Sequence, residues 1–153
     1  MDAFELKVPP PMVMGIIAVG MWLTAAVLPG AGRGFPGRGA LAACLALVGV
    51  ATAAAGVRAF VRHGTTPNPM APEEASALVR DGVYRFTRNP MYLGLAIILI
   101  GWGIWLGSWW AVVLIPVYVG WVTRFQVIPE ERVLRARFGG DYEEYTAKVR
   151  RWI

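Results

Sequence analysis

The fold is decided by residues 88–122, which read RNPMYLGLAIILIGWGIWLGSWWAVVLIPVYVGWV. An arginine, an asparagine and a proline stand directly before a long apolar run, and Gly107 divides that run in two. Asn is a favourable N-cap, and Pro fits the first helical position because its missing N–H would be unpaired there anyway. Since a glycine commonly ends a helix, the stretch predicts two apolar helices, 90–106 and 108–122, the second kinked at Pro116.

The composition of the whole chain places these helices in a membrane. Of the 153 residues, 56% are apolar and 16% are charged, and the mean hydropathy is +0.49. That is too apolar for an ordinary soluble domain. Two further apolar stretches, 11–28 and 39–60, are each long enough to cross a bilayer. We therefore predict an all-α integral membrane protein with about four transmembrane helices and a cytoplasmic-side amphipathic C-terminal helical tail.

The order of apolar and polar segments predicts a single membrane domain, residues 1–153. Its parts are an N-terminal transmembrane hairpin (1–62) that turns through a Gly/Pro-rich segment, a polar connection (63–90), a second transmembrane hairpin (90–128) and the amphipathic tail (129–153). A connection of this length without its own spanning element is often functional.

The distribution of Lys and Arg predicts the orientation. With four spans, the N-terminus, the polar connection and the tail share one side of the membrane, and they carry thirteen of the fifteen basic residues. The opposite side has Arg33 and Arg38. The positive-inside rule then places both termini and the connection in the cytoplasm, and we expect the plasma membrane of a bacterium or archaeon.

The tail has one apolar face, formed by residues at helical spacing: Leu134, Phe138, Tyr142, Tyr145, Val149 and Trp152. Gly139 and Gly140 are expected to divide it into two helices. Asp141, with Glu144 three residues later, resembles a capping box for the second helix. We expect the tail either to lie along the membrane surface or to fold back over the polar connection.

The short turn between the last two spans brings their outer ends together. Residues 89–92 are therefore expected near residues 124–131, where a carboxylate pair, an amide, arginines and aromatic rings would meet. The single Cys44 and single His63 provide neither a disulfide nor a metal-ligand set. Such a site is consistent with a nucleoside-type cofactor, and we expect no metal and no nucleic acid as partners.

Two separated motifs carry a family resemblance. GVYRFTRNPMYLG (82–94), followed about 36 residues later by EERVLRARFGGDYEEY (130–145), resembles the C-terminal core of the isoprenylcysteine carboxyl methyltransferase and phospholipid methyltransferase superfamily. The family pattern is G-x-Y-x-x-x-R-H-P-x-Y-x-G, then a helical hairpin, then E-E-x-x-L, F-G and a tyrosine-containing tail. The similarity covers roughly residues 64–152. It implies an integral membrane enzyme that uses S-adenosylmethionine bound at the polar connection.

The resemblance also implies residue roles. Glu130 and Arg88 are the candidate catalytic residues, and Arg124 and Gln126 are the candidate substrate residues. Gln126 stands where the eukaryotic enzymes have a substrate-binding arginine, so a prenylated cysteine is the least expected acceptor. Asn89 replaces the family histidine. The cofactor pocket would be lined by Leu78, Val79, Tyr84, Asn89, Pro90, Met91, Tyr92 and Glu130.

The implied reaction moves a methyl group from S-adenosylmethionine to a lipophilic small molecule or lipid that enters from the bilayer. A carboxylate, a thiol or an amine all fit as nucleophile, and the oligomeric state stays open.

The residues alone also allow a non-catalytic membrane protein, such as a transporter subunit or assembly factor. In that interpretation Glu130 and Glu131 are a solvated helix start, and Arg85 and Arg88 are topology anchors. A transporter would be expected to carry polar groups at mid-span, and spans one, three and four carry no charged residue there.

Overall fold

The computed structural model describes residues 4–28 and 35–153, and all regular structure within these ranges is helical. The predicted all-α class is confirmed. The Gly/Pro-rich turn expected after the first span, with Arg33, falls largely on residues 29–34, which lie outside the described ranges. Two 3₁₀ turns, Pro72–Glu74 and Gly82–Arg85, occur in the polar connection, and a π-helical turn, Thr123–Val127, follows the fifth helix. The α-helices are α1 (Pro10–Val27), α2 (Arg38–Arg62), α3 (Pro90–Leu106), α4 (Trp109–Val112), α5 (Leu114–Val122), α6 (Ile128–Phe138) and α7 (Gly140–Lys148).

Three helical segments are long and apolar enough to cross a membrane: α1, α2 and the helical rod Trp109–Phe138. Helix α3 is as apolar but has 17 residues, a short crossing. It begins at Pro90 and ends before Gly107, whose φ of 65° is the left-handed conformation that glycine adopts readily. Both ends of α3 thus lie where the sequence predicts them.

Helix α3 is the central span, and glycines let α2 approach it closely. A Cβ atom added to Gly49 would lie 2.5 Å from the backbone oxygen of Gly94, and one added to Gly101 would lie 2.9 Å from that of Ala42. A methyl group at these positions would push the two backbones apart. Small residues that allow such contact are the usual means of joining helices in lipid, where no hydrophobic force drives association.

The opposite side of α3 packs on α1. Met21 is fully buried there, and the indole Nε1 of Trp102 donates a hydrogen bond to the carbonyl oxygen of Ala18 at 3.0 Å. The outward faces of α1 and α2 carry exposed apolar side chains, such as Ile16 and Leu47. That distribution suits helices whose outer surface contacts lipid.

The last span runs without a loop into the first helix of the tail. The rod is interrupted at Val113, one turn before Pro116, because proline has no N–H to donate to the carbonyl of Val112. The π-helical turn then adds one residue to a turn before α6 begins. Residues 109–123 of the rod carry no charge, and Arg124 is its first charged residue.

The tail folds back over the polar connection, the second of the two expected arrangements. It breaks at Gly139, with φ 50° and ψ −123°, as predicted. The expected capping box does not form, because α7 already begins at Gly140 and Asp141 lies inside its first turn. The hydroxyl group of Tyr145 donates to the backbone oxygen of Tyr84 at 2.7 Å, which fixes α7 on the connection.

Candidate active site

The starts of α3 and α6 meet at one point, as the hairpin geometry predicts. The hydroxyl group of Tyr92, in the first turn of α3, donates a hydrogen bond to Oε1 of Glu130, in the first turn of α6. The two motifs of the sequence are therefore in direct contact, although their residues are 38 positions apart.

A partly open cavity of about 80 Å³ lies at this contact. Its wall includes seven of the eight residues predicted to bind the cofactor, and also Arg88. The exception is Pro90, which is buried under α2 beside Gly56. The lining residues are Phe60, Ala75, Ala77, Leu78, Val79, Tyr84, Arg88, Asn89, Met91, Tyr92, Glu130, Glu131, Leu134, Tyr142 and Tyr145.

Several wall residues were not predicted as site residues. The sequence predicts only that Leu134, Tyr142 and Tyr145 share one apolar face of the tail. Their helical spacing is the signal that this face could form the wall of a site. Phe60 comes from the last turn of α2 and stacks edge-on to Tyr84, with ring centroids 5.4 Å apart. It offers no signal in the sequence, because an aromatic residue near the end of a span is common in membrane proteins.

Asn89 is at the N-cap position of α3, but its side chain does not cap the helix. Its Nδ2 instead donates to the backbone oxygen of Arg151 at 2.8 Å, and Thr87 Oγ1 donates to the same oxygen at 3.2 Å. The backbone N–H of Arg88 donates to the oxygen of Arg150 at 3.1 Å. Residues 149–152, which we call the C-terminal strap, are thus bonded to two residues of the cavity wall, Arg88 and Asn89.

An ion cluster joins the strap to the cavity wall. Arg151 binds both carboxylate oxygens of Glu131, at 3.0 Å through Nε and 2.8 Å through Nη2. Arg88 lies 3.2 Å from the same carboxylate through Nη1. The Nε atom of Arg88 is buried and has no hydrogen-bond partner among the described residues. This N–H group, on a residue that lines the cavity, is suited to an anionic group of a bound molecule.

The pKa of Glu130 is raised to about 8, mainly because the group is buried; the hydrogen bond from Tyr92 opposes this rise and the charge of Glu131 contributes to it. A carboxyl group with a pKa near neutrality can bind a cationic or hydroxyl group and can also accept a proton. Among the described residues, no cluster of three or more His, Cys, Asp or Glu side chains has the geometry of a metal site.

The two candidate substrate residues lie away from this cavity. Gln126 is fully buried in the π-helical turn, where its Nε2 donates to the oxygen of Val8 at 2.7 Å. Arg124 forms an ion pair with Glu5 at 2.9 Å. Both side chains hold the segment before α1 against the rod, and neither is among the residues that line the cavity. Their assignment to substrate therefore stays a prediction without support from the geometry.

The fold and the cavity define a helical membrane protein with a partly enclosed cavity at one end of its spans. The sequence profile of the phospholipid methyltransferase family matches residues 38–141, about two thirds of the chain. The chain belongs to that family. This bears out the resemblance found from the two motifs.

Two individual relatives match parts of the chain. The chain is 40% identical over 63 residues to an uncharacterized protein of Haemophilus influenzae, and the match covers 41% of this chain and 100% of that protein. It is 33% identical over 72 residues to a protein-S-isoprenylcysteine O-methyltransferase of Schizosaccharomyces pombe. That match covers 47% of this chain but 30% of the yeast enzyme. No solved structure matches the chain.

Proposed function

We propose that this protein is a membrane methyltransferase that transfers a methyl group from S-adenosylmethionine to a lipophilic acceptor taken from the bilayer. The observation that carries the proposal is the cavity at the Tyr92–Glu130 contact, where both family motifs supply the wall. The printed activity of the yeast relative points in the same direction, although the match spans a minority of that enzyme. We further propose the cytoplasmic orientation and the four-part division of the chain predicted from its charges.

The residues present fit this cofactor. Its carboxylate would be held by the unpartnered Nε of Arg88, and its ammonium or ribose hydroxyl groups by Glu130. The adenine ring would lie against the aromatic and aliphatic wall, which includes Tyr84 and Tyr142. The C-terminal strap holds Asn89 and the backbone of Arg88, two residues of the wall, in place.

When bound, S-adenosylmethionine supplies a methyl group made electrophilic by the positive sulfonium. The protein's own part is mainly to orient the two reactants and to keep water out. Glu130 is held by Tyr92 through one oxygen, so its other oxygen is free to bind a reactant or to accept a proton. Arg88 is the cation of the cavity wall, and its pairing with Glu131 fixes the direction of its Nε.

Calorimetric titration of the detergent-purified protein with S-adenosylmethionine or S-adenosylhomocysteine tests the proposal. We expect saturable binding to the wild type and at least a hundredfold weaker binding to Glu130→Gln, a loss of about 2.7 kcal/mol. The matched control is Glu144→Gln, which removes an exposed carboxylate of α7 that pairs with Lys148. Absence of binding to the wild type up to about 1 mM, a Kd that corresponds to about −4 kcal/mol, would favour a non-catalytic membrane protein.

A further inference from the structure

A cleft outside the candidate active site lies between the second 3₁₀ turn of the connection and helix α7. It has a volume of about 400 Å³. Tyr145 is shared with the wall of the cavity, and its hydrogen bond to the backbone oxygen of Tyr84 ties the turn to the helix, so the two sides of the cleft are fixed relative to each other. The lining residues are Arg80, Arg85, Glu144, Tyr145, Lys148 and Val149.

The cleft carries more positive than negative charge. Its lining has three cations and one carboxylate, that of Glu144, which pairs with Lys148. Arg80 lies 3.8 Å from Asp141, and both side chains are exposed, so water screens this pair. The guanidinium of Arg85 forms no hydrogen bond or ion pair with any residue that the structure describes. The cleft therefore has positive charge that the described residues do not neutralise.

The cleft lies at the level where the spans end. The ring of Tyr84, in the same 3₁₀ turn, packs edge-on against Phe60 in the last turn of α2. Phe86 follows Arg85 directly, and the apolar span α3 begins shortly afterwards at Pro90. The side chain of Phe86 is 77% exposed, so its ring is not used in the packing of the protein itself. An apolar ring beside basic residues at this level is typical of segments that contact lipid head groups.

We infer that this cleft binds the phosphate group of an anionic phospholipid of the surrounding leaflet, with the acyl chains of that lipid against Phe86. The guanidinium of Arg85 would donate charge-assisted hydrogen bonds to the phosphate oxygens, a pairing that its planar geometry suits. Arg80 and Lys148 would add further attraction. The lipid is a bound partner outside the candidate active site and is not the methyl acceptor, so the inference does not depend on the proposed function.

The position of the cleft on α7 favours a lipid over a soluble phosphate. Lys148 and Val149 stand at the C-terminal end of that helix, where the partial charge of the helix is negative and weakens the attraction for an anion. Charge alone therefore gives modest binding. The exposed ring of Phe86 adds apolar contact that a lipid can use and a soluble phosphate cannot.

Native mass spectrometry of the detergent-purified protein, titrated with phosphatidylglycerol or phosphatidylcholine, tests the inference. We expect phosphatidylglycerol to bind about fivefold more tightly, and Arg85→Gln to abolish that preference. The matched control is Arg62→Gln, which removes an exposed cation from the end of α2, on the same side of the spans but outside the cleft, and should retain the preference. Equal affinity of the wild type for both lipids, or equal loss in the two variants, would overturn the inference.

A second variant should change the affinity in the opposite direction. Glu144→Gln frees Lys148 from its ion pair and removes the negative charge of the cleft, so the affinity for phosphatidylglycerol should rise about twofold. Glu143→Gln removes the same charge from the preceding residue, which does not line the cleft, and should have no effect. Damage to the fold would not increase affinity. A fall in Glu144→Gln, or an equal rise in both variants, would contradict the assignment of the phosphate to this cleft.

Two further measurements separate the inference from its alternatives. Glycerol phosphate, the soluble part of the lipid, should not displace phosphatidylglycerol at equal concentration, and displacement would assign the cleft to a soluble anion instead. Titration with S-adenosylhomocysteine should give the same affinity for the wild type, Arg85→Gln and Arg62→Gln. Loss of both lipid and cofactor affinity in Arg85→Gln would attribute the change to a disturbed fold and would overturn the inference. Failure of the wild type to bind cofactor, with its lipid preference intact, would remove the proposed function alone.

Discussion

Two carboxylates in this protein are each held by two arginines, in very different places. Glu131 pairs with Arg88 at 3.2 Å and Arg151 at 2.8 Å, on the wall of the cavity. Glu5 pairs with Arg124 at 2.9 Å and Arg132 at 2.7 Å, where the segment before α1 meets the rod. The chemistry of the two clusters is the same, and their surroundings are not.

The difference lies in what each cluster connects. The Glu5 cluster attaches the first described residues to the π-helical turn, assisted by the hydrogen bond from Leu6 N to Phe125 O at 3.0 Å. Its two arginines are about half exposed, with side-chain exposures of 48% and 53%. In the Glu131 cluster Arg88 is 14% exposed and lines the cavity. The first cluster therefore serves the packing of the fold, and the second orients residues of the candidate site.

The largest expected contrast follows from removing each carboxylate in turn. Glu131→Gln leaves the enclosed Arg88 without its counter-charge, and removing one partner of such a pair is costly. We expect the affinity for S-adenosylhomocysteine to fall about thirtyfold in Glu131→Gln, equivalent to about 2 kcal/mol. Glu5→Gln should leave that affinity unchanged and lower the Tm. Calorimetric titration and thermal unfolding in detergent measure the two effects.

The outcome of this pair decides whether the clusters have separate roles. A fall in affinity of similar size in both variants would show that the clusters act together on the site. A fall in Tm without any change in affinity in Glu131→Gln would make the cavity cluster structural as well.

A smaller contrast comes from two adjacent arginines in the C-terminal strap. The guanidinium of Arg151 holds Glu131, whereas Arg150 is exposed and contributes its backbone oxygen, which any residue would supply. We expect Arg151→Ala to weaken cofactor affinity about tenfold, since its side chain is partly exposed and the pair is screened by water. Arg150→Ala should have no effect in the same titration. Equal effects would indicate that total charge, rather than position, matters.

The sequence predicted the regular part of this structure well, because each prediction rested on local chemistry. Asn89 followed by Pro90 marked the start of α3, and Gly107 marked its end. The periodic aromatic face and Gly139 predicted the two helices of the tail. The proximity of residues 89–92 to residues 124–131 followed from the hairpin, since a short turn brings the outer ends of two helices together, and the contact of Tyr92 with Glu130 lies within these two ranges.

The parts that sequence reasoning missed depend on contacts between distant segments. Asn89 was expected to cap α3, but the strap offers the oxygen of Arg151, 62 residues away, as a better acceptor. Arg124 and Gln126 were assigned to substrate by their position before Glu130. Here Gln126 is bonded to the oxygen of Val8 and Arg124 to Glu5, contacts that have no recognisable local pattern, and the role of both residues toward substrate stays a prediction.

A still smaller contrast concerns the pH dependence of stability. The pKa of Glu130 is raised to about 8 from 4.5, so this group contributes stability that is present below pH 4.5 and is lost as pH rises through about 8. Because the charge of Glu131 adds to the shift, Glu131→Gln should lower that pKa and make the loss of Tm smaller between about pH 5 and 9. Glu5→Gln should retain the wild-type dependence of Tm on pH. If Glu130→Gln also shows the wild-type dependence of Tm on pH, that dependence belongs to another group.

The smallest expected effect belongs to a residue of the cluster near α1. Arg132→Gln removes one of the two cations that bind Glu5, but Arg124 keeps its pairing with the same carboxylate. Arg132 is half exposed, so water replaces the lost bond at little cost, and the Tm should fall only slightly. Cofactor affinity should not change, because Arg132 is on α6 but outside the cavity wall. The comparable change in the other cluster, Arg88→Gln, removes a cation that lines the cavity. If Arg88→Gln loses cofactor affinity and Arg132→Gln does not, the role of the Glu131 cluster comes from its enclosed position beside the site. A measurable loss of affinity in Arg132→Gln would instead show that the packing of the segment before α1 reaches the site through the rod.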